Sequence, residues 1–234
     1  MLTFYCYTWN KYLPPQKLVD GTCSYHSIRN ANYMVNTLSQ IKTYDSNYIK
    51  NIKNNSFFKK MISKDRLDKD LDFLIDDKIN LSLNANQIKN VLSKKKFSNN
   101  IFPVYYDKCI CEFAKKDLEK IKKITSQKSY VICFILFKKR LGVTHWCPIT
   151  FDKRKNIVNV HITDSYDMFW WGDPRINTIM NIIYPGKKNI KCVNDNIKGN
   201  IFYICKTTFN IVTYFFIIYI FIYALSLKLK ESKK

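Results

Sequence analysis

Three β-rich runs stand close together in the second half of the chain: residues 130–137 (YVICFILF), 143–151 (VTHWCPITF) and 157–164 (IVNVHITD). The breaks between them, 138–142 and 153–156, are short and turn-like. Strands joined by so few residues pair antiparallel, because a parallel neighbour needs a crossover of roughly a dozen residues or more. The run therefore reads as an antiparallel meander, and it limits the rest of the chain to whatever can pack on such a sheet.

The first half has a different period. Ile28, Ala31, Val35 and Leu38 recur at three- and four-residue intervals, which predicts a helix over 23–41. Asp20, Gly21 and Thr22 supply turn and N-cap chemistry just ahead of it. Residues 44–100 are highly charged with helical patches such as Leu67, Leu71, Leu74 and Ile75; residues 84–94 form another helix and 118–123 continue the helical character. After the meander, Pro174 suits the first turn of a helix over 173–183, and 190–193 and 201–205 suit short strands. The expected fold class is α+β: a helical part followed by an antiparallel sheet, in one domain over 1–206.

Residues 207–234 read as a tail. Residues 209–227 are 19 in number and carry no charge; Lys228, Lys230, Lys233 and Lys234 follow. A membrane-spanning helix needs about 20 apolar residues, so the segment is expected to anchor the chain in a bilayer, with a buried strand or core helix as the other reading. Lysines after the span favour that end in the cytoplasm, whereas a single span so placed leaves the bulk of the protein cytosolic. The expectation is a cytosol-facing, membrane-anchored domain.

A 15% aromatic share argues against global disorder. The formal charge of +21 invites a polyanion partner, but the excess is Lys, spread from Lys11 to Lys234. Arg, the residue of bidentate phosphate and guanine contacts, stands only at positions 29, 66, 140, 154 and 175. The charge reads as a solvated basic surface with no specific nucleic-acid partner. The opening MLTFYCYTWNKYLPP lacks the basic-then-apolar pattern of a secretory signal, so the eight cysteines are expected as free thiols in a reducing compartment. Cys109-Ile110-Cys111 is not a zinc spacing, and neither a metal nor a cofactor is expected.

Chemistry concentrates at two points. Cys23, in DGTCSYHSIRNA, opens the first helix behind a glycine turn. A helix N-terminus carries about half a positive charge and unpaired N–H groups, which favour a thiolate and can hold an oxyanion. A nucleophilic thiol needs a base and the base needs an orienting acceptor. His26, three residues on along the same helix, suits packing; His145 and His161 lie on neighbouring strands. A turn symmetric about Arg154–Lys155 sets Lys153 opposite Asn156 and His145 opposite Asp164, with His161 opposite Pro148 on the other face. Cross-strand neighbours have Cβ atoms about 5 Å apart, which suits an imidazole-to-carboxylate hydrogen bond.

These residues resemble known families. Cys23-Ser-Tyr-His-Ser-Ile-Arg-Asn30, with His at +3 and Asn at +7, looks like the Josephin deubiquitinase pattern. His145-Trp146, followed by a strand, a turn and a strand ending in Asp164-Ser165, resembles the His-Trp…Asp/Asn segment of Josephin and SUMO-type proteases; Asp20-Gly-Thr-Cys23 is similar to the Asp-Gly-x-Cys of ovarian-tumour-type deubiquitinases. The resemblance implies a papain-like cysteine peptidase with Cys23 as nucleophile, His145 as base and Asp164 as orienter, acting on ubiquitin or a ubiquitin-like protein. Papain-like enzymes carry an oxyanion-hole Gln five or six residues before the Cys; here Gln16 is seven before it. Trp146 is expected either at the substrate cleft or in the core, and Trp170 and Trp171 either on the cleft rim or buried. A peptidase on ordinary peptides and an inactive, membrane-tethered binding module of the same fold stay open as alternatives.

Overall fold

Alternating side chains make a strand of the first described residues, β1 (Leu2–Thr8), with Phe4 and Cys6 in one apolar cluster and Tyr5 and Tyr7 in the other. Five helices follow: α1 (Cys23–Gln40), α2 (Tyr48–Asn54), α3 (Ser56–Ile62), α4 (Lys64–Leu74) and α5 (Ala85–Lys94). Then come β2 (Ile101–Asp107), β3 (Ile110–Glu112), α6 (Lys115–Thr125), β4 (Ser129–Arg140), β5 (Val143–Arg154), β6 (Ile157–Ile162), α7 (Pro174–Ile183) and β7 (Lys188–Cys192). The structure is a computed structural model that describes residues 2–16, 22–42, 44–75, 83–107, 110–140, 143–165, 174–185 and 188–192. These fall in one compact unit, Met1–Val193; Asn194–Lys234 form a second unit that lies outside the described residues, and with it the expected strand at 201–205 and the uncharged run 209–227. Among the described residues no helix is long and apolar enough to cross a membrane.

The meander is present as β4–β5–β6, antiparallel throughout. The sheet as a whole is not antiparallel, and this corrects the expectation. Its order is β3-β2-β4-β5-β6-β1-β7, with β1 parallel to both β6 and β7 and β2 parallel to β4. β2 and β4 run parallel because β3 and α6 carry the chain back between them, and β6 and β7 both run parallel to β1 because α7 lies between them in the chain, connections long enough for a crossover. The expected order of helices first and sheet second also fails, because β1 precedes every helix.

Both faces of the sheet are covered, which explains why 130–137 is apolar at every position. Val131, Cys133, Ile135 and Trp146 point to the α1–α5 side, packing with Ile28, Ala31, Met34 and Leu38 of α1. Ile132, Phe134, Leu136, Ile149, Phe151 and Val160 point to the other, against Ile121 of α6 and Ile176, Ile179 and Met180 of α7. Helix α1 is buried nearly all round. Its polar residues are therefore used as connectors: Arg29 donates to Met61 O (2.9 Å), Lys60 O (3.0 Å) and Asp70 Oδ2 (2.9 Å), fixing α3 and α4 against it. Helix α5 starts on a capping box, Asn84 accepting from Gln87 N and the Gln87 side chain accepting from Asn84 N.

The β5–β6 hairpin turns on Lys155 and Asn156, with Arg154 opposite Ile157 and Thr150 opposite His161. Lys155 has φ 53°, in the left-handed region that so tight a turn requires. The expected register, centred on Arg154–Lys155, is therefore two residues out. A shift of two keeps every side chain on its face, because strand side chains alternate with period two. The ladder stops at Ile149 opposite Ile162, so His145 and Asp164 meet beyond the paired stretch and not as the direct cross-strand neighbours expected.

Candidate functional site

Cys23 is the first residue of α1, where Thr22 O accepts from Tyr25 N (2.9 Å) and His26 N (3.1 Å) to open the helix. The first N–H groups of a helix find no acceptor within it, and the sulfur lies at that positive end. The helix start is fixed to the sheet by its own polar side chains. Ser27 Oγ donates to Trp146 O at 2.5 Å, and Ser24 Oγ accepts from Leu83 N at 3.4 Å. The first of these bonds joins the second turn of α1 to the residue next to His145.

His145 Nε2 lies 2.6 Å from Asp164 Oδ1, and both residues are buried. Burial by itself pushes the imidazole's proton affinity down. Hydrogen bonds to Asp164 and to the Cys23 thiol, with the charges of both groups, overcome that and carry the His145 pKa up to about 9. One ring thus connects the carboxylate and the thiol. An imidazolium here stabilises negative charge on the sulfur and holds a proton for a leaving group.

Asp164 is fixed from three elements. Its N–H donates to Asn10 Oδ1 (3.0 Å), and Asn30 of α1 donates through Nδ2 to Thr163 O (3.2 Å) and Ser165 Oγ (2.9 Å) on either side of it. Gln16 N meets Ser165 O at 3.5 Å, so the Gln expected at an oxyanion hole is held beside the residue that follows Asp164, its side-chain oxygen buried. Asn30 was legible as the +7 residue of the motif. Asn10 carried no signal in the sequence, because its role exists only once β1 lies parallel to β6.

The other histidines are placed elsewhere. His161 is fully buried and its pKa falls to about 3, so the ring is neutral. Trp9 Nε1 donates to its Nδ1 (3.0 Å) and Tyr48 Oη lies 3.0 Å from its Nε2; Tyr48 in turn donates to Asp152 Oδ2 (2.7 Å), which pairs with Arg154 (2.7 Å). This chain of groups ties α2 to the sheet on the α1 side. His26 is buried in α1. Trp146 is 1% exposed: its Nε1 donates to Leu83 O (3.0 Å) and its ring packs 4.9 Å from that of Phe137, so of the two expectations for it core packing holds and cleft lining does not. Trp170 and Trp171 lie outside the described residues.

Cys6, Cys23, Cys133 and Cys147 form no disulfide, and no group of three or more His, Cys, Asp or Glu side chains among the described residues could hold a metal ion. Burial pushes the Cys133 thiol up to about 12, which makes it inert. The chain matches no protein-family model, no curated protein and no solved structure.

Proposed function

We propose that the chain is a papain-like cysteine hydrolase that cleaves the amide joining ubiquitin or a ubiquitin-like modifier to its target. The observation that carries the reading is the single imidazole of His145, 2.6 Å from Asp164 and hydrogen-bonded to the thiol at the start of α1. A thiol at a helix N-terminus, a base on a strand and a carboxylate that fixes the base are the three roles that acyl transfer through sulfur requires.

The chemistry runs in two halves. The Cys23 thiolate attacks the carbonyl carbon, and the oxyanion that forms takes hydrogen bonds from main-chain N–H groups at the start of α1 and from the Gln16 side chain. The C–N bond breaks as His145 gives its proton to the departing amine. Water then adds to the thioester, His145 accepting its proton; the C–S bond breaks and the carboxylic acid leaves. Asp164 holds the ring in one orientation and stabilises its charged form throughout.

A peptidase on ordinary peptides uses the same groups and differs only in substrate. An inactive binding module is favoured by one feature, the seven-residue separation of Gln16 from Cys23. We further propose that residues 209–227 anchor the domain to a membrane, since they are uncharged over a bilayer's thickness.

The test is to incubate the full chain with ubiquitin and ubiquitin-like proteins carrying a C-terminal electrophile. A covalent adduct that Cys23→Ala abolishes and His145→Ala slows roughly 10²–10⁴-fold supports the hydrolase and names the modifier. A folded protein that forms no adduct moves the assignment to another peptide or to a binding role.

A further inference from the structure

On the far side of α1 from its contacts with the sheet runs a groove of about 420 Å³, bounded by α1, α4 and Phe97 beyond α5. Helix α4 segregates its charges around it. Arg66, Lys69, Asp70 and Phe73 share the face that lines the groove, whereas Asp65, Asp68 and Asp72 recur on another. Asp70 does not make the groove acidic: Arg29 Nε (2.9 Å), Arg66 Nε (3.0 Å) and Tyr33 Oη (2.8 Å) all donate to it. Arg29 is spent on Asp70 and main-chain carbonyls. What faces solvent is cationic and aromatic. Arg66 is 51% exposed, Phe73 is 56% exposed, and Lys95 sits over the Phe73 ring at 4.4 Å.

A large aromatic more than half exposed, set among cations over an apolar floor, is a recognition surface rather than a solvated helix face. We infer that this groove docks an acidic peptide segment of a partner protein, an apolar side chain packing on Phe73 and Phe97 while neighbouring carboxylates meet Arg66 and Lys69. Charge decides the occupant. The cations form one strip on α4, and Asp65, Asp68 and Asp72 on the adjoining face would repel a continuous phosphate backbone. A short peptide with two or three carboxylates is satisfied by the strip alone. The site does not depend on the hydrolase reading.

The test pans a random dodecapeptide display library on the full chain, on Lys69→Glu, on Phe73→Ser and on Lys122→Glu, which makes the same charge change as the first at an exposed position of α6. Wild type and Lys122→Glu are expected to select peptides combining Asp or Glu with a Leu, Phe or Trp. Lys69→Glu should lose the acidic preference and keep the apolar one, and Phe73→Ser the reverse. By fluorescence anisotropy the best synthetic peptide should bind each groove variant at least tenfold more weakly and Lys122→Glu within twofold of wild type. Both groove substitutions are at exposed positions, and matching thermal melts confirm folding. Equal selection by all four proteins, or peptides without acidic residues, overturns the inference. Displacement of the peptide by an oligouridine dodecamer, lost in Lys69→Glu, overturns it in favour of nucleic acid.

Discussion

At the scale of the residue, the proton on His145 governs the site. Its pKa is raised above the ordinary 6.5 to about 9, so the folded state favours the charged ring. The sign follows directly: the stabilisation is fully present below 6.5 and is lost as pH rises toward 9. Turnover that needs the imidazolium to protonate a leaving amine is expected to hold through neutral pH and to fall along a limb near pH 9. In Asp164→Asn the bonds and charge that raise the value are weakened, and the limb should move to lower pH. A pH–rate profile of wild type and variant checks this, and a limb that stays in place would show that another group sets it. Asn30→Ala is expected to free Asp164 from α1 and leave Thr163 O unsatisfied, at a cost of about 1–3 kcal/mol in urea unfolding, with the alkaline limb shifted as well. The candidate triad was legible in the sequence because Cys23 opens a helix, His145 lies near the start of a strand and Asp164 lies just past the end of one, boundaries that periodicity marks. Asn10 was not legible, because its contact with Asp164 joins residues far apart in the chain.

The elements show how far pattern reading reaches. Residues 130–137 announce a strand by unbroken apolarity, and Asn84 with Gln87 announces the start of α5. β1 gave no comparable signal: seven residues, LTFYCYT, bury aromatics on both faces and take both partners from the distant end of the compact unit. Hairpin register was read two residues out because the turn's centre rests on a left-handed Lys155 instead of a glycine that would mark it. Tyr48 ties α2 to the sheet through His161 and Asp152. Tyr48→Phe is expected to lower stability by about 1–3 kcal/mol, since it strips a donor from a buried carboxylate. Trp146→Ala should cost about 3–5 kcal/mol, losing both a packed ring and the bond to Leu83 O, and denaturant titration measures both variants.

For the whole molecule, the position of β1 sets a constraint of timing. The strand lies between β6 and β7, so its hydrogen-bonding edges are satisfied only by Ile157–Ile162 and Lys188–Cys192. A ribosome adding about 5–20 residues per second takes roughly seven to thirty seconds to pass from β1 to β6. From its emergence until β6 can pair with it, the segment Phe4, Tyr5, Cys6 and Tyr7 has both edges of the strand open, and a chaperone or a second nascent chain can bind it. Stalled chains ending before residue 157 are expected to leave residues 2–8 open to protease, and chains released after residue 193 to protect them. β1, one strand in from the β7 edge, is thus among the earliest parts synthesised and the latest to be enclosed, and for this strand birth order runs opposite to burial.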